Sequence, residues 1–297
     1  MPAARPQDLV WTLYGEFLLH QPAPVWVGSL IGLLGPLGVS GAHARTVLSR
    51  MAAKRWLKVV RAGRRAYYAL TPRGRRLLEE GETRIYRPTR AEDWDGQWTL
   101  LAYSIPEERR PLRDRLRVRL SWLGFGSLGN GLWLSPHDVA ARVQEIGEEL
   151  GVLGHLQLFR GPYVGFSEPG ALVTQCWDLP ALNVRYEAFI ARHLPPYYEL
   201  APVHDPKRRG GPGRAAPRPS ILSPRDAYVR RFELVHEYRE FPLLDPFLPR
   251  PLQPADWAGE CAQALFQAYH ALLSAAADVY LASVVETLPV TRRSAVH

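Results

Sequence analysis

Between Ser40 and Arg87 the chain carries thirteen Lys or Arg, and no Asp or Glu enters the run before Glu79. Guanidinium and ammonium groups at that density do the chemistry of phosphate binding. Each donates charge-assisted hydrogen bonds, and Arg can also fork onto the O6 and N7 edge of guanine. The candidate contacts are His43, Arg45, Thr46, Ser49, Arg50 and Lys54, followed by Arg61, Arg64 and Arg65. The hydroxyls of Thr46 and Ser49 can donate to phosphate oxygens. The partner that suits this set is double-stranded DNA.

Such a set works only if the fold presents it on one surface. Ala44, Val47, Leu48 and Met51 recur at i, i+3, i+4 and i+7, so a helix over 40–55, capped by Ser40, buries them. His43, Thr46, Arg50 and Lys54 then fall on the outer face, with Arg45 and Ser49 at its margins. Upstream, Asp8 can cap a helix over 9–19. A second helix fits between Pro24 and Pro36, with Leu30, Leu33, Leu34 and Leu37 at helical spacing. Downstream, strands over 57–61 and 65–70 flank an Ala62-Gly63-Arg64 turn, and Thr71-Pro72 opens another short helix. Helix, helix, helix, basic hairpin, helix is the order of a winged helix-turn-helix, predicted here over residues 1–90.

The charge balance agrees with that boundary. Residues 1–90 hold 15 Lys or Arg and 5 Asp or Glu, a net of +10, while the remaining 22 and 24 give −2. Only three of the 37 basic residues are Lys, so position carries more meaning than the arginine count.

Trp94-Asp-Gly-Gln-Trp98 opens a second unit. Strands over 98–104, 128–134, 155–159 and 171–176, with helices over 107–122 and 138–150, give a βαββαβ-like, ferredoxin-like domain across 91–176. The fold class is therefore α+β. Arg109, Arg110, Arg113, Arg115, Arg117 and Arg119 crowd the first of these helices. They either pair with Glu107, Glu108 and Asp114 or bind phosphates. Residues 177–297 read as a helical domain: a helix over 178–193 capped by Asp178, a Pro/Gly/Arg-rich linker over 205–220, and helices over 225–239 and 257–285. In the last, Cys261, Leu265, Ala268, Tyr269, Leu272, Ala276, Val279 and Tyr280 share a side, either as core or as an intersubunit surface.

Several chemistries lack their residues. Gly124, Gly126 and Gly129 spell GxGxxG, but a helix precedes and a strand follows, the reverse of what dinucleotide binding needs. His236-Glu-Tyr-Arg-Glu240 places a glutamate where a zinc protease has its second histidine. Asp93, Asp95 and Asp138 are the acids available to an alternative, metal-dependent nuclease or hydrolase. Cys176 and Cys261 have no metal-type spacing and read as buried free thiols in a reducing cytosol. No signal peptide is visible at the start. Residues 17–44 lack charged side chains, but prolines leave about twelve residues for a helix, too short for a bilayer core of about 30 Å. The expectation is a cytoplasmic regulator, not an enzyme, with no cofactor, no metal and no membrane contact.

Ala44-Arg-Thr-Val-Leu-Ser-Arg-Met51, Gly63-Arg-Arg-Ala-Tyr-Tyr-Ala-Leu-Thr71, Arg84-Ile-Tyr86, Trp94-Asp-Gly96, Trp122-Leu-Gly-Phe-Gly126, His236-Glu-Tyr-Arg239, Leu244-Asp-Pro246 and Asp256-Trp-Ala-Gly259 together resemble the PaaX family of transcriptional repressors. The matches run from about Leu9 to Tyr280. The resemblance implies a winged helix, a central Cas2-like domain without implied nuclease activity, and a helical C-terminal domain. It implies a homodimer repressing genes of phenylacetate catabolism, released from DNA by an aryl-CoA thioester, typically phenylacetyl-CoA. By position it assigns Arg45, Thr46, Ser49 and Arg50 to a recognition helix and Arg64 and Arg65 to a wing. Trp177, His236 and Arg239 are the candidate contacts for the acyl-CoA. Control of another aromatic or secondary-metabolite pathway, with a different effector, is the alternative. Two features depart from the family pattern: Gly41-Ala-His43 at the helix start and the length of the arginine-rich segment at 205–220.

Overall fold

Pro6 opens the first ordered helix because a proline at a helix start gives up only an amide that would find no partner there. In the computed structural model, which describes residues 5–86, 94–201 and 222–289, this helix, α1, spans Pro6–Leu13. Asp8 lies inside its first turn; Arg5 holds the cap position. The helix continues as a π-helical turn, Tyr14–Leu18. Strand β1 (Val25–Trp26) and helix α2 (Val27–Leu34) follow. A 3-10 turn and Gly38, at φ +80°, redirect the chain into α3 (Gly41–Ala53). Ser40 caps α3 as expected, its Oγ accepting from the His43 amide at 3.3 Å.

Strands β2 (Leu57–Ala62) and β3 (Arg65–Leu70) form an antiparallel hairpin in which Val59 opposes Tyr68. Gly63, at φ +57°, supplies the turn. β1 pairs the other edge of β3, giving the order β1-β3-β2. Helix α4 (Pro72–Tyr86) has 15 residues, longer than the short helix expected. Val10, Leu13, Leu30, Leu33, Leu34, Ala44, Leu48 and Met51 form a buried interior between α1, α2 and α3.

The next segment runs β4 (Gln97–Tyr103), a 3-10 turn, α5 (Arg110–Trp122), β5 (Gly126–Gly129), β6 (Leu132–Ser135), α6 (Ala140–Leu150) and β7 (Leu156–Pro162). This is the βαββαβ order, in one antiparallel sheet arranged β5-β6-β4-β7. Two expectations fail here. The single strand expected over 128–134 is a hairpin, because Gly129, Asn130 and Gly131, all at positive φ, reverse the chain. The strand expected over 171–176 is a helix, α7 (Pro169–Cys176), with Val173 buried. Pro169 opens this helix, and Val173 is its buried residue.

Helix α8 (Leu179–Leu200) starts where Asp178 Oδ1 accepts from the Ala181 amide at 3.1 Å, and it runs beyond residue 193 through Pro195 and Pro196. Then come α9 (Pro224–Tyr238), the short α10 (Phe241–Leu244) and α11 (Gly259–Val284). On α11 the buried face is Ala262, Leu265, Phe266, Tyr269, Leu273 and Ala277; Cys261, Leu272 and Val279 of the expected stripe are exposed. Alanines on every side of this helix leave the stripe poorly defined in the sequence. Cys261 is therefore not a buried thiol, whereas Cys176 is half-buried and burial raises its pKa to about 11. The linker expected at 205–220 lies outside the described residues.

The chain divides into two compact units: Met1–Arg87, Ile190–Arg239 and Gln263–His297 make the first, and Pro88–Phe189 with Glu240–Ala262 the second. Residues 190–239 and 263–297 fall in the first unit and residues 177–189 and 240–262 in the second.

Candidate nucleic-acid interface

The site is built outward from α3. Ala44, Val47, Leu48 and Met51 are buried and fix the rotation of the helix. His43, Arg45, Thr46, Ser49, Arg50 and Lys54 are consequently all exposed. Thr46 Oγ1 donates back to the Ala42 carbonyl at 3.0 Å, and Arg45 Nη1 donates to the Gly41 carbonyl at 3.4 Å. Among the described residues no carboxylate meets Arg50 or Lys54, so their charges face solvent. The result is a helix with one apolar and one cationic, hydroxylated side, a shape the major groove of B-DNA admits.

The β2–β3 hairpin extends from the same unit. Arg61 and Arg64 are exposed near its tip, and among the described residues no carboxylate meets them either. Arg65 is different. Its guanidinium lies over the Trp26 ring, 4.6 Å from the centroid, and its Nη1 donates to Glu286 Oε2 at 2.8 Å. Lys58 is also exposed, and the Arg73 guanidinium stacks on Trp56 at 4.1 Å. Glu286 is invisible to a local reading of the sequence because it stands 221 residues from Arg65. No local pattern carries such a pairing.

Glu286 reaches the hairpin because the chain after α11 runs beside β1. The Trp26 amide donates to the Glu286 carbonyl and the Leu288 amide to the Pro24 carbonyl, both at 2.8 Å. Val25 and Thr287 form an antiparallel bridge between them. The Glu286 amide donates to Ser29 Oγ at 2.9 Å, and Ser29 is buried.

Deeper in the same unit the π-helical turn points Glu16 inward. Its side chain is 2% exposed and meets Arg231 Nε at 2.5 Å, His270 Nε2 at 2.8 Å and the Tyr86 hydroxyl. Arg231 Nη1 also donates to Asp278 at 2.9 Å. Burial alone would push the Glu16 carboxyl up. The hydrogen bond from His270 and the charge of Arg231 outweigh it and hold the group below its ordinary value. The cluster ties the turn after α1 to α4, α9 and α11.

The second unit contains a cavity of about 430 Å³ walled by Phe125, Trp133, Trp177 and Leu182, with Arg185 among its polar groups. Arg185 Nη2 donates to Glu240 at 2.7 Å. Trp177 approaches β5 because Gly126 has no side chain; a Cβ there would stand 2.7 Å from the indole. Of the candidate effector contacts, only Trp177 lines this cavity. His236 belongs to the first unit, with Nδ1 2.8 Å from Thr12 Oγ1 and its ring stacked on Phe232. Arg239 is the C-cap of α9, in that same unit.

The acids considered for metal chemistry are occupied otherwise. Arg160 donates to Asp95 at 2.7 Å and stands 3.9 Å from Asp138; Asp93 lies outside the described residues. Among the described residues no group of three His, Cys, Asp or Glu could hold a metal ion. Of the six arginines around α5, three pair with carboxylates among the described residues: Arg110 and Arg113 with Glu107, and Arg119 with Glu149. Among the described residues no helix is long and apolar enough to cross a membrane.

Residues 5–74 match the family described as PaaX-like protein, residues 91–173 the PaaX protein central Cas2-like domain, and residues 177–283 the PaaX-like protein C-terminal domain. The transcriptional repressor PaaX of Escherichia coli strain K12 is 34% identical over 283 residues, covering 94% of this chain and 84% of that protein. An uncharacterised protein from Mycobacterium tuberculosis has a solved structure similar at a TM-score of 0.56, with 21% identity, over 91% of this chain and 96% of that one. That second likeness is one of fold alone.

Proposed function

The chain belongs to the PaaX family of transcriptional repressors, and on that premise we propose that it binds operator DNA as a homodimer and is released by an aryl-CoA thioester such as phenylacetyl-CoA. Residues 5–86 act as a winged helix-turn-helix, with α3 as recognition helix and the β2–β3 hairpin as wing. The observation that carries this reading is the division of α3 into a buried apolar face and an exposed face bearing Arg50, Lys54, Thr46 and Ser49.

In this reading α3 enters the major groove, where Arg50 reads base edges. Arg61 and Arg64 grip the sugar-phosphate backbone and supply affinity without sequence information. Two copies related by a two-fold axis meet two half-sites of an inverted repeat. The Trp177 cavity takes the aryl group of the effector, and Arg185 meets its anionic part. Release from nearly all bound to nearly all free requires the effector to favour the non-binding state by about 5 kcal/mol. The protein works in the cytoplasm as a regulator and not as an enzyme.

The test is a gel-shift titration on the DNA upstream of the protein's own gene, with and without acyl-CoA thioesters. The expected result is a specific complex that phenylacetyl-CoA dissolves. A complex that no aryl-CoA dissolves would overturn the effector half of the reading, and no complex at all would overturn the whole.

A further inference from the structure

Arg65 stands at the base of the wing turn, directly opposite Ala62, yet its guanidinium is already engaged. The group that engages it, Glu286 Oε2 at 2.8 Å, is a carboxylate, which offers the same two-oxygen anionic edge that a DNA phosphate offers. Glu286 is not there by chance approach of a loose end. Its amide is bonded to buried Ser29, its carbonyl to the Trp26 amide, and its neighbour Thr287 bridges to Val25. Trp26 in turn lies under the Arg65 guanidinium. Backbone bonds on both sides thus hold the acid in register with the wing, and both charged side chains remain more than half exposed.

We infer that Glu286 sets the affinity of the wing, a built-in stand-in for phosphate that occupies Arg65 and weakens binding to DNA of any sequence. The inference rests on the DNA-binding reading above. Its physics is simple competition. A phosphate reaching Arg65 must displace the carboxylate, and any phosphate near the wing meets a negative charge fixed beside it. Both effects weaken backbone contacts on every duplex equally. Base contacts from α3 are untouched, so operator and unrelated duplex lose affinity by the same factor and binding to both becomes easier to reverse.

Glu286→Gln tests this, because it keeps shape and backbone hydrogen bonds and removes only the charge. Binding of the full chain to a duplex of unrelated sequence is measured by fluorescence anisotropy across salt concentrations. Neutralising one more phosphate steepens log K against log salt by about 0.9. The variant's advantage over wild type therefore grows about 3.5-fold as salt falls from about 200 to about 50 mM. Adding Arg65→Ala to Glu286→Gln should abolish the advantage. Wild-type binding with an unchanged slope in Glu286→Gln overturns the inference alone, as does an advantage that survives loss of Arg65. Wild type that binds neither this duplex nor the operator overturns the DNA-binding reading and the inference with it.

Discussion

At the scale of single residues, the proposed reading divides the cationic surface into side chains that specify and side chains that hold. On that reading Arg50, exposed on α3 with no described carboxylate beside it, contacts a base. Arg50→Ala should weaken operator binding by about 1–3 kcal/mol and relax sequence preference, as measured by competition with mutated operators. Arg64, at the hairpin tip, should behave otherwise: Arg64→Ala weakens binding to all DNA and reduces the salt slope by about 1. Glu16 has a structural role with a pH signature. Its folded pKa lies below the ordinary 4.5. Its contribution is therefore complete above that value and is lost as pH falls from there through the folded pKa. Glu16→Gln should cost about 3–5 kcal/mol at neutral pH by leaving buried Arg231 short of a partner, toward the lower end because Asp278 remains. It should also flatten the loss of stability in acid, read from urea midpoints at pH 7 and below pH 4.5. The outward residues of α3 were legible in the sequence because a 3.6-residue rhythm fixes both faces at once. Glu16, Arg231 and His270 were not, because their partnership joins separate segments of sequence.

At the scale of elements, several local signals decided the outcome, though Asp8 is not the cap of α1 and Gly129-Asn130-Gly131 reverses the chain within the strand expected over 128–134. Ser40, Gly63 and Asp178 marked caps and a turn, and each does that job in the structure. They failed where the decision was tertiary. Val-Thr-Gln-Cys looks like a strand, yet it lies in α7, where Val173 packs inward. The π-helical turn after α1 left no mark, because widening a turn by one residue depends on what Glu16 must reach. Gly126 shows an element junction that depends on a missing side chain. A Cβ there would stand 2.4 Å from Cys176 Cβ as well as against Trp177. Gly126→Ala should lower stability by about 1–3 kcal/mol through overpacking. It should also blunt release by phenylacetyl-CoA while operator binding persists, checked by thermal melting alongside the gel shift.

At the scale of the whole molecule, the sequence divided the chain by charge, and the surplus of +10 in residues 1–90 falls on the unit that holds α3 and the hairpin. What composition could not convey is that this unit also draws on residues 190–239 and on the end of α11, since contacts between distant segments leave charge counts unchanged. The same surplus makes binding to any duplex steeply salt-dependent. The proposed homodimer has its own check: light scattering should return about twice the 33.5 kDa chain mass.

The seam between β1 and residues 286–288 has a consequence for biosynthesis. Ribosomes make the amino end first, so a nascent chain emerges with α3 complete but the sheet beside it lacking its outermost neighbour. That neighbour, residues 286–288, is made only after α11. On the inference above, a product terminated before codon 286 keeps Arg50, Lys54, Arg61 and Arg64 and loses the carboxylate paired with Arg65, so shortened chains should hold DNA of any sequence more tightly.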